Sequence, residues 1–132
     1  MTTTAPAQSL PTEPICDAVR STYLEPDLIF VSKELRSLMG TVHTSADIVF
    51  ECLSEDTALY DRTTKADTYL ALGVKELWLI DPVTLTIEVR NPAKVEDTLV
   101  WEIYQYSQHE HAKSRVLNGW EVSVDEIFED LI

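Results

Sequence analysis

Glu51 is the residue whose surroundings most suggest chemistry. It lies in the apolar run 48–53 (IVFECL), and burying an unpaired charge in such a run costs several kcal/mol. Side chains alternate between the two faces of a strand, so Glu51 would share its face with Asp47, Val49 and Leu53. Two simpler alternatives are that this face is solvated, or that Glu51 pairs with an ordinary basic residue.

Asp27 is a second carboxylate that could join Glu51. It follows Pro26 at the start of a predicted strand, 27–31, although Pro-Asp is also a common turn dipeptide. Two carboxylates on adjacent strands would supply the converging oxygen ligands that Mg²⁺ prefers, with water in the remaining positions. The pair therefore indicates either a divalent-cation site or a simple turn beside a polar strand.

Lys65 is the third candidate and lies in a predicted helix. Asp61 and Tyr69 are four residues before and after it, so the three side chains form one stripe beside the apolar stripe of that helix. The alternative is a surface ion pair between Asp61 and Lys65, which contributes little. If the helix packs over the end of the Glu51 strand, the lysine meets both carboxylates. With a divalent cation that lowers the pKa of an attacking water, and a lysine that orients or deprotonates this water, such a site suits phosphodiester hydrolysis.

The segments that would position these residues predict an α/β or α+β domain on a mixed sheet. The predicted strands are 27–31, 47–53, 76–81, 85–90, 98–106 and 114–117. Residues 57–72 form the main predicted helix, capped by Thr57 and ended by Gly73, and 32–45 hold a single helical turn before a loop through Gly40. A short amphipathic helix at 124–131 carries Ile127 and Phe128 on one side. The order is a β-β-α-β core followed by a β extension and a short helix.

The charge of the chain limits the classes of partner. Its 132 residues include 23 acidic and 10 basic side chains, which give a formal net charge of −13. This excludes a general basic nucleic-acid coat protein and a cationic membrane binder, so contact with DNA would need a local basic patch or bound cations. Length and composition predict one domain at 25–132, after a flexible lead-in at 1–24 that is rich in Thr and Pro.

Other sequence signals are weak or absent. Cys16 and Cys52 form no CxxC pair, which favours reduced thiols and a cytoplasmic protein. We find no secretory signal and no apolar run long enough to span a membrane. Phosphate-binding, dinucleotide-binding, nucleophile-elbow and zinc-protease signatures are missing. His109 and His111 alternate without a third ligand, so we expect exposed side chains with no metal role.

Several short motifs stand in a characteristic order along the chain. They are 26–31 (PDLIFV), 46–54 (ADIVFECLS), Thr57, 60–62 (YDR), Lys65, Tyr69, 73–74 (GV), 76–78 (ELW), 81–82 (DP), 118–120 (NGW) and 124–128 (VDEIF). In this order and spacing, from about residue 25 to the C-terminus, the sequence resembles the Uma family of proposed restriction endonucleases. That family is a branch of the PD-(D/E)XK nuclease superfamily.

The resemblance implies a restriction-endonuclease-like α/β core and names its site residues. Asp27 matches the aspartate of the first signature strand, and Glu51 matches the acidic residue of (D/E)XK. Leu53 stands where the superfamily usually has lysine, and the resemblance implies that Lys65, from the following helix, takes over that role. The implied cofactor is Mg²⁺ or Mn²⁺, and the implied substrate is DNA.

Two further residues receive roles from the same resemblance. The resemblance implies that the backbone carbonyl of Cys52 is an additional metal ligand. Asp47 matches the aspartate of the family's second Pro-Asp, although Ala46 replaces the proline. It is either a ligand or a strand-opening residue, and we expect a supporting role for it. We expect the same for Asp61 and Tyr69, which share a helical stripe with Lys65.

Three hypotheses follow. The first is a metal-dependent endonuclease that hydrolyses DNA, with Asp27, Glu51 and Lys65 catalytic and Asp61 orienting Lys65. The second is a catalytically silent, N-terminally shortened relative, because only about 25 residues precede Pro26 where relatives carry more. Such a module would bind or assemble, and an unpaired sheet edge would favour a homodimer. The third leaves Glu51 on a wet face with no ion.

Overall fold

The computed structural model describes residues 26–39 and 46–131. The predicted lead-in at 1–24 and the loop through Gly40 lie outside these residues. The strands are β1 (Leu28–Phe30), β2 (Ile48–Cys52), β3 (Glu76–Asp81), β4 (Thr86–Val95), β5 (Thr98–Tyr106), β6 (His111–Lys113) and β7 (Glu121–Ser123). The helices are α1 (Lys33–Met39), α2 (Ala58–Tyr60), α3 (Ala66–Ala71) and α4 (Val124–Ile127), with a π-helical turn at Asp61–Lys65 and a 3₁₀ turn at Glu129–Leu131.

The architecture is a mixed α/β fold built on one five-stranded sheet. Its order is β1-β2-β3-β4-β5, in which β2 and β3 are parallel and the other neighbours are antiparallel. The central strand β3 buries Leu77, Trp78 and Leu79 almost completely, as its apolar sequence on both faces predicts. The α/β fold on a mixed sheet is therefore confirmed.

The two faces of the sheet carry different cores. On one face, Val49 of β2 packs with Leu79 of β3 against Tyr69 of α3. On the other face, Ile48 and Trp78 pack with the C-terminal elements, where Phe128 is buried. The predicted alternation of β2 is therefore confirmed, and it places Glu51 on the face that α2 and α3 cover.

Helix α2, the π turn and α3 run without a break from residue 58 to residue 71, and we call this unit helix 58–71. Thr57 occupies the N-cap position but makes no capping hydrogen bond through its side chain, so the predicted Thr57 cap is wrong. Its backbone N–H instead donates to Ser54 Oγ at 3.3 Å. The predicted stop at Gly73 is confirmed, because Gly73 has a φ of 88° and the N–H of Val74 donates to the Tyr69 carbonyl at 3.1 Å, as in a Schellman motif.

The π turn changes which face of the helix meets the sheet. The buried residues of helix 58–71 are Asp61, Ala66 and Tyr69. Leu59, near the start of the helix, is 76% exposed. The predicted polar stripe therefore lies on the sheet-facing side of the helix, not beside it. π turns widen a helix locally and occur often at functional sites.

The predicted strand 114–117 is wrong, because these residues form a loop held by a buried carboxylate. Ser114 Oγ donates to Glu76 Oε1 at 2.7 Å, and the N–H of Arg115 donates to Glu76 Oε2 at 2.6 Å. Ser114 Oγ also accepts from the N–H of Leu117 at 2.9 Å. Local side-chain bonds of this kind compete with strand pairing. The pairing occurs instead between β6 and β7.

Strand β4 continues to Val95, beyond the predicted end at residue 90, and forms a hairpin with β5. Glu96 and Asp97 both have positive φ, 51° and 67°, as a two-residue type I′ turn requires. Strand β4 therefore pairs with β5 as far as Val95, whereas β3 pairs only with its first half. At the C-terminus, Phe128 is buried as predicted, but Ile127 is 45% exposed. In residues 26–39 and 46–131, no helix has the length and apolar character needed to cross a membrane.

Candidate functional site

The site is centred on the Glu51 carboxylate near the end of β2. Glu51 is only 2% exposed, so the alternative of a solvated face is wrong. Its Oε2 accepts a hydrogen bond of 2.5 Å from the Tyr69 hydroxyl. The same oxygen lies 2.9 Å from Lys65 Nζ. Helix 58–71 thus brings a neutral donor and an ammonium to one carboxylate oxygen.

The electrostatics of Glu51 reflect its burial. The pKa of Glu51 is raised from 4.5 to about 6, chiefly by burial and to a smaller extent by the nearby charge of Asp27. The Tyr69 hydrogen bond and the Lys65 charge act in the opposite direction but do not cancel the effect of burial. A strand carboxylate with such a pKa beside a charged partner is a candidate for a functional group.

Lys65 is held between two carboxylates. Its Nζ lies 2.9 Å from Glu51 Oε2 and 3.6 Å from Asp61 Oδ1, and its side chain is 14% exposed. Burial alone would lower the pKa of Lys65, but the charges of Glu51 and Asp61 outweigh it and raise the pKa. The side chain is therefore a protonated ammonium at neutral pH, and its pairing extends beyond the surface pair with Asp61.

Tyr69 holds the other side of Glu51. Burial, followed by the Glu51 charge, raises the pKa of Tyr69 far above its ordinary value. The phenol therefore stays protonated and can only donate to the carboxylate. Its position is fixed by the helix end, because the Tyr69 carbonyl accepts the bond from Val74 that closes the Schellman motif.

Asp27 reaches the same end of β2 from the neighbouring strand. It directly precedes β1, whose Leu28 is paired with Phe50. The exposed Asp27 side chain accepts a hydrogen bond of 2.7 Å from the N–H of Cys52 to its Oδ2. Burial raises the pKa of the Cys52 thiol, and the charge of Asp27 raises it further. The structure thus brings together Asp27, Glu51 and Lys65.

Asp47 lies apart from these residues, before the other end of β2. It is 2% exposed, and its Oδ2 accepts from the N–H of Ser32 at 2.6 Å. Its Oδ1 lies 3.2 Å from Lys75 Nζ. Burial would raise the pKa of Asp47, but the bonds from Ser32 and the charge of Lys75 outweigh it and lower the pKa. Asp47 therefore fixes the connection from β1 to α1, and its support of the site is indirect.

The acidic side chains that could offer metal ligands beside Glu51 are few. Within the described part of the chain, no three His, Cys, Asp or Glu side chains cluster as a metal site. The groups at this end of β2 that could hold a cation are the carboxylates of Asp27 and Glu51 and the carbonyl of Cys52. One or two carboxylates with water are the usual ligands of Mg²⁺, so these residues fit that ion. His109 is exposed, as expected, and its Nδ1 lies 2.9 Å from Asp125 Oδ2.

Sequence reasoning missed a second ionic cluster beside the first. Arg62, on the same π turn as Lys65, lies 2.9 Å from Asp81 and also pairs with Glu88. Arg90 Nη2 lies 2.7 Å from Glu88 Oε1. A signal was present in the sequence, because charged Glu88 and Arg90 alternate with apolar residues along β4. Such alternation places the two charged side chains on one face of β4.

Comparison with family models gives one match over most of the chain. The model for Uma2, described as "Putative restriction endonuclease", matches residues 4–125. The comparison with curated proteins gives no match.

A solved structure gives an independent comparison of the fold. The chain is similar to the crystal structure of a "putative nuclease belonging to DUF820" from Anabaena variabilis, with a TM-score of 0.55 and 22% sequence identity. The alignment covers 68% of this chain and 48% of that one. The chain therefore spans about half the length of this structure, and at this identity the likeness concerns the fold alone.

Proposed function

We propose, from the premise that the chain belongs to the Uma2 family, that it is a metal-dependent endonuclease that hydrolyses DNA phosphodiester bonds. The observation that carries the proposal is the meeting of Glu51 with Lys65 at 2.9 Å, beside the carboxylate of Asp27. Two carboxylates and one ammonium at the end of adjacent strands are the groups that this chemistry needs.

Asp27, Glu51 and the Cys52 carbonyl are the proposed ligands of Mg²⁺ or Mn²⁺. The partners of Glu51 described above both reach Oε2, so Oε1 is the atom we assign to the cation. A bound cation would lower the pKa of an attacking water and neutralise charge on the phosphate. Asp27 contributes its Oδ1, since its Oδ2 is engaged by the N–H of Cys52.

Lys65 acts in this proposal as a charged donor. Because its pKa is raised, the ammonium does not accept a proton at neutral pH. It is suited instead to orient the attacking water or to stabilise the negative charge that develops on the phosphate. Asp61 holds the ammonium from the other side at 3.6 Å, and Tyr69 keeps the Glu51 carboxylate in place.

The test is cleavage of supercoiled plasmid by the purified protein with Mg²⁺ or Mn²⁺. We expect nicking or linearisation by the wild type, and a loss of about 10²- to 10⁴-fold in rate for Lys65→Met, the range for removing a positioned proton-transfer or charge-stabilising group. Glu51→Gln should lose cation-dependent cleavage. Lys94→Met, which changes an exposed lysine on the β4–β5 hairpin, is the matched control and should keep full activity. Equal cleavage by all four proteins would reject the assignment.

DNA is the proposed substrate in spite of the acidic chain. Phosphate neutralisation by Lys and Arg provides most DNA affinity, and here Arg62, Lys65 and Arg90 are already paired with carboxylates. We therefore expect weak binding that depends on the divalent cation and on low ionic strength. A cytoplasmic location belongs to the same proposal, since Cys52 is a free thiol.

A second candidate function is assembly through the outer edge of β5. Among the described strands, β5 is at the edge of the sheet and its outer side pairs with no other strand. It is nine residues long, and its exposed apolar side chains include Leu99, Ile103 and Tyr104. Its one charged residue, Glu102, is neutralised by Arg115 at 2.6 Å. A long, uncharged edge favours pairing with a second copy of the chain even when the net charge is −13.

Light scattering tests this candidate. We expect a dimer for the wild type and a monomer for Ile103→Lys, because the lysine introduces like charge at the paired edge. Lys substitution at exposed Leu59 on helix 58–71 is the control and should leave the dimer intact. A wild type that is monomeric at all concentrations would overturn this candidate.

A further inference from the structure

Arg90 contacts both the backbone of helix 58–71 and the strand beneath it. Its Nη1 donates to the backbone carbonyl of Arg62 at 3.0 Å. Its Nε and Nη2 donate to Glu88 Oε1 at 3.0 and 2.7 Å. Arg90 and Glu88 are both 7% exposed. One guanidinium thus joins a carbonyl of the π turn to a carboxylate of β4.

The side chain of Arg62 closes this arrangement into a ring. Its Nη1 pairs with Glu88 Oε2, the oxygen that Arg90 does not use. Its Nη2 donates to Asp81 Oδ2 at 2.9 Å. Both the backbone and the side chain of Arg62 are therefore tied to the sheet. Arg90 holds the backbone carbonyl, while Glu88 and Asp81 hold the side chain. We call Arg62, Glu88 and Arg90 the arginine ring.

The arginine ring and the candidate site lie in one row across the sheet. Strand register places Glu51 of β2 beside Leu79 of β3, and Leu79 beside Glu88 of β4. The π turn crosses this row, with Lys65 over Glu51 at one end and Arg62 over Glu88 at the other. Any sideways movement of the Arg62 backbone must therefore displace Lys65 relative to Glu51.

We propose that Arg90 is a positioning residue that sets the location of the Lys65 ammonium by fixing the π turn through the Arg62 carbonyl and Glu88. This inference deepens the proposed function and rests on it for the catalytic consequence, but the positioning itself can be measured without activity. The backbone hydrogen bonds of a π turn skip one residue more than those of an α-helix. An external donor at the Arg62 carbonyl therefore favours this turn over a regular helix.

The planar guanidinium group of Arg90 is the feature that fixes the π turn. Arginine can hold two acceptors in fixed directions, whereas lysine offers a point charge on a flexible stem. Arg90→Lys preserves the charge opposite Glu88 but cannot hold both acceptors in the same geometry. Arg90→Gln removes the charge as well. If charge balance alone mattered, Arg90→Lys would behave as the wild type.

The first measurement is the side-chain ammonium NMR spectrum of ¹⁵N-lysine-labelled protein. The Lys65 signal is assigned by its loss in Lys65→Met, and its shift reports the ion pair with Glu51. We expect Arg90→Gln to shift or broaden this signal. Arg36→Gln, which changes an exposed arginine of α1, should leave it unchanged. An unchanged Lys65 signal in folded Arg90→Gln would overturn the proposal. If Arg90→Gln does not fold, Arg90→Lys is compared in its place, with one additional ammonium signal expected.

The second measurement is the rate of plasmid cleavage. We expect Arg90→Lys and Arg90→Gln to lower kcat by up to about 100-fold with little change in KM, as misplacement of a reactive group by about 1 Å does. In a Lys65→Met background the same substitutions should cause no further loss, because the effect acts through Lys65. Independent, additive losses would contradict the proposal. If the wild type does not cleave DNA, the proposed function fails, and the NMR comparison still decides whether Arg90 positions Lys65.

Discussion

The raised pKa of Glu51 makes a quantitative prediction about stability. In the folded protein, burial raises the pKa of Glu51 from 4.5 to about 6. Since one pKa unit corresponds to about 1.4 kcal/mol, ionising Glu51 costs the folded state about 2 kcal/mol more than it costs the unfolded chain. Glu51→Gln removes the titration while keeping a similar shape and an acceptor for the Tyr69 hydroxyl.

The sign of the effect follows from which state binds the proton more tightly. Below pH 4.5 the carboxyl is protonated in both states, so it adds no pH dependence. Between pH 4.5 and about 6 the folded protein keeps the proton that the unfolded chain has released, so stability falls as the pH rises. Above about pH 6 both states are ionised, and the loss of about 2 kcal/mol is complete.

Urea denaturation in EDTA buffer, at several values between pH 4 and pH 7.5, measures this difference. We expect the stability of the wild type to fall by about 2 kcal/mol relative to Glu51→Gln across this range, on the scale of about 1.4 kcal/mol per pKa unit. The other titrating groups are common to both proteins, so the comparison isolates Glu51. Parallel stability profiles would refute the reasoning, because they would mean that the carboxylate is as well solvated when folded as when unfolded.

Three further predictions also concern the stability of the folded protein. Tyr69→Phe removes a hydrogen bond to a charged group and should lower the free energy of unfolding in urea by about 1.5–3 kcal/mol. Tyr60→Phe, at an exposed position, should leave it almost unchanged. Equal effects of the two substitutions would contradict the role of Tyr69. Mg²⁺ or Mn²⁺ should raise the Tm of the wild type but not of Glu51→Ala, as expected for a ligand that binds only the folded state, and an equal rise in both would place the ion elsewhere. The pKa of Asp47 is lowered from 3.8, because its bonds to Ser32 and Lys75 outweigh burial. The wild type should therefore be more stable than Asp47→Asn above pH 4 and should lose that advantage as the pH falls further. An advantage that persists in acid would show that the stabilisation does not come from ionised Asp47.

Most of the sheet could be predicted because its signals are local. Alternation in β2 and the continuous apolar run in β3 each follow from burial on one or both faces. Gly73 marks the helix end because a positive φ is needed there. The errors arose where distant groups decide the local structure, as when Glu76 holds residues 114–117 in a loop through Ser114.

The site could be predicted in part for a similar reason. A carboxylate such as Glu51 is conspicuous in an apolar strand, and Lys65 lies on the same helical stripe as Tyr69. What spacing could not show is the π turn, which brings Asp61 and Lys65 onto the buried side of the helix together with Arg62. That turn depends on Arg90, a residue of β4 that contacts it only in the folded chain.

The small net stability that buried ion pairs provide indicates that the two ionic clusters beneath helix 58–71 have a function. Buried ion pairs contribute little net stability, and well-packed apolar residues of similar volume are often as stabilising or more so. Here the covering helix meets the sheet through Glu51 with Lys65, and again through Glu88 with Arg62, on the face that also holds the apolar contacts of Val49 and Leu79. A helix that served only to cover the sheet would need neither cluster. Because a carboxylate with a raised pKa and specific charged partners, such as Glu51, is typical of functional sites, the row from Glu51 to Glu88 is where mutations should separate activity from stability.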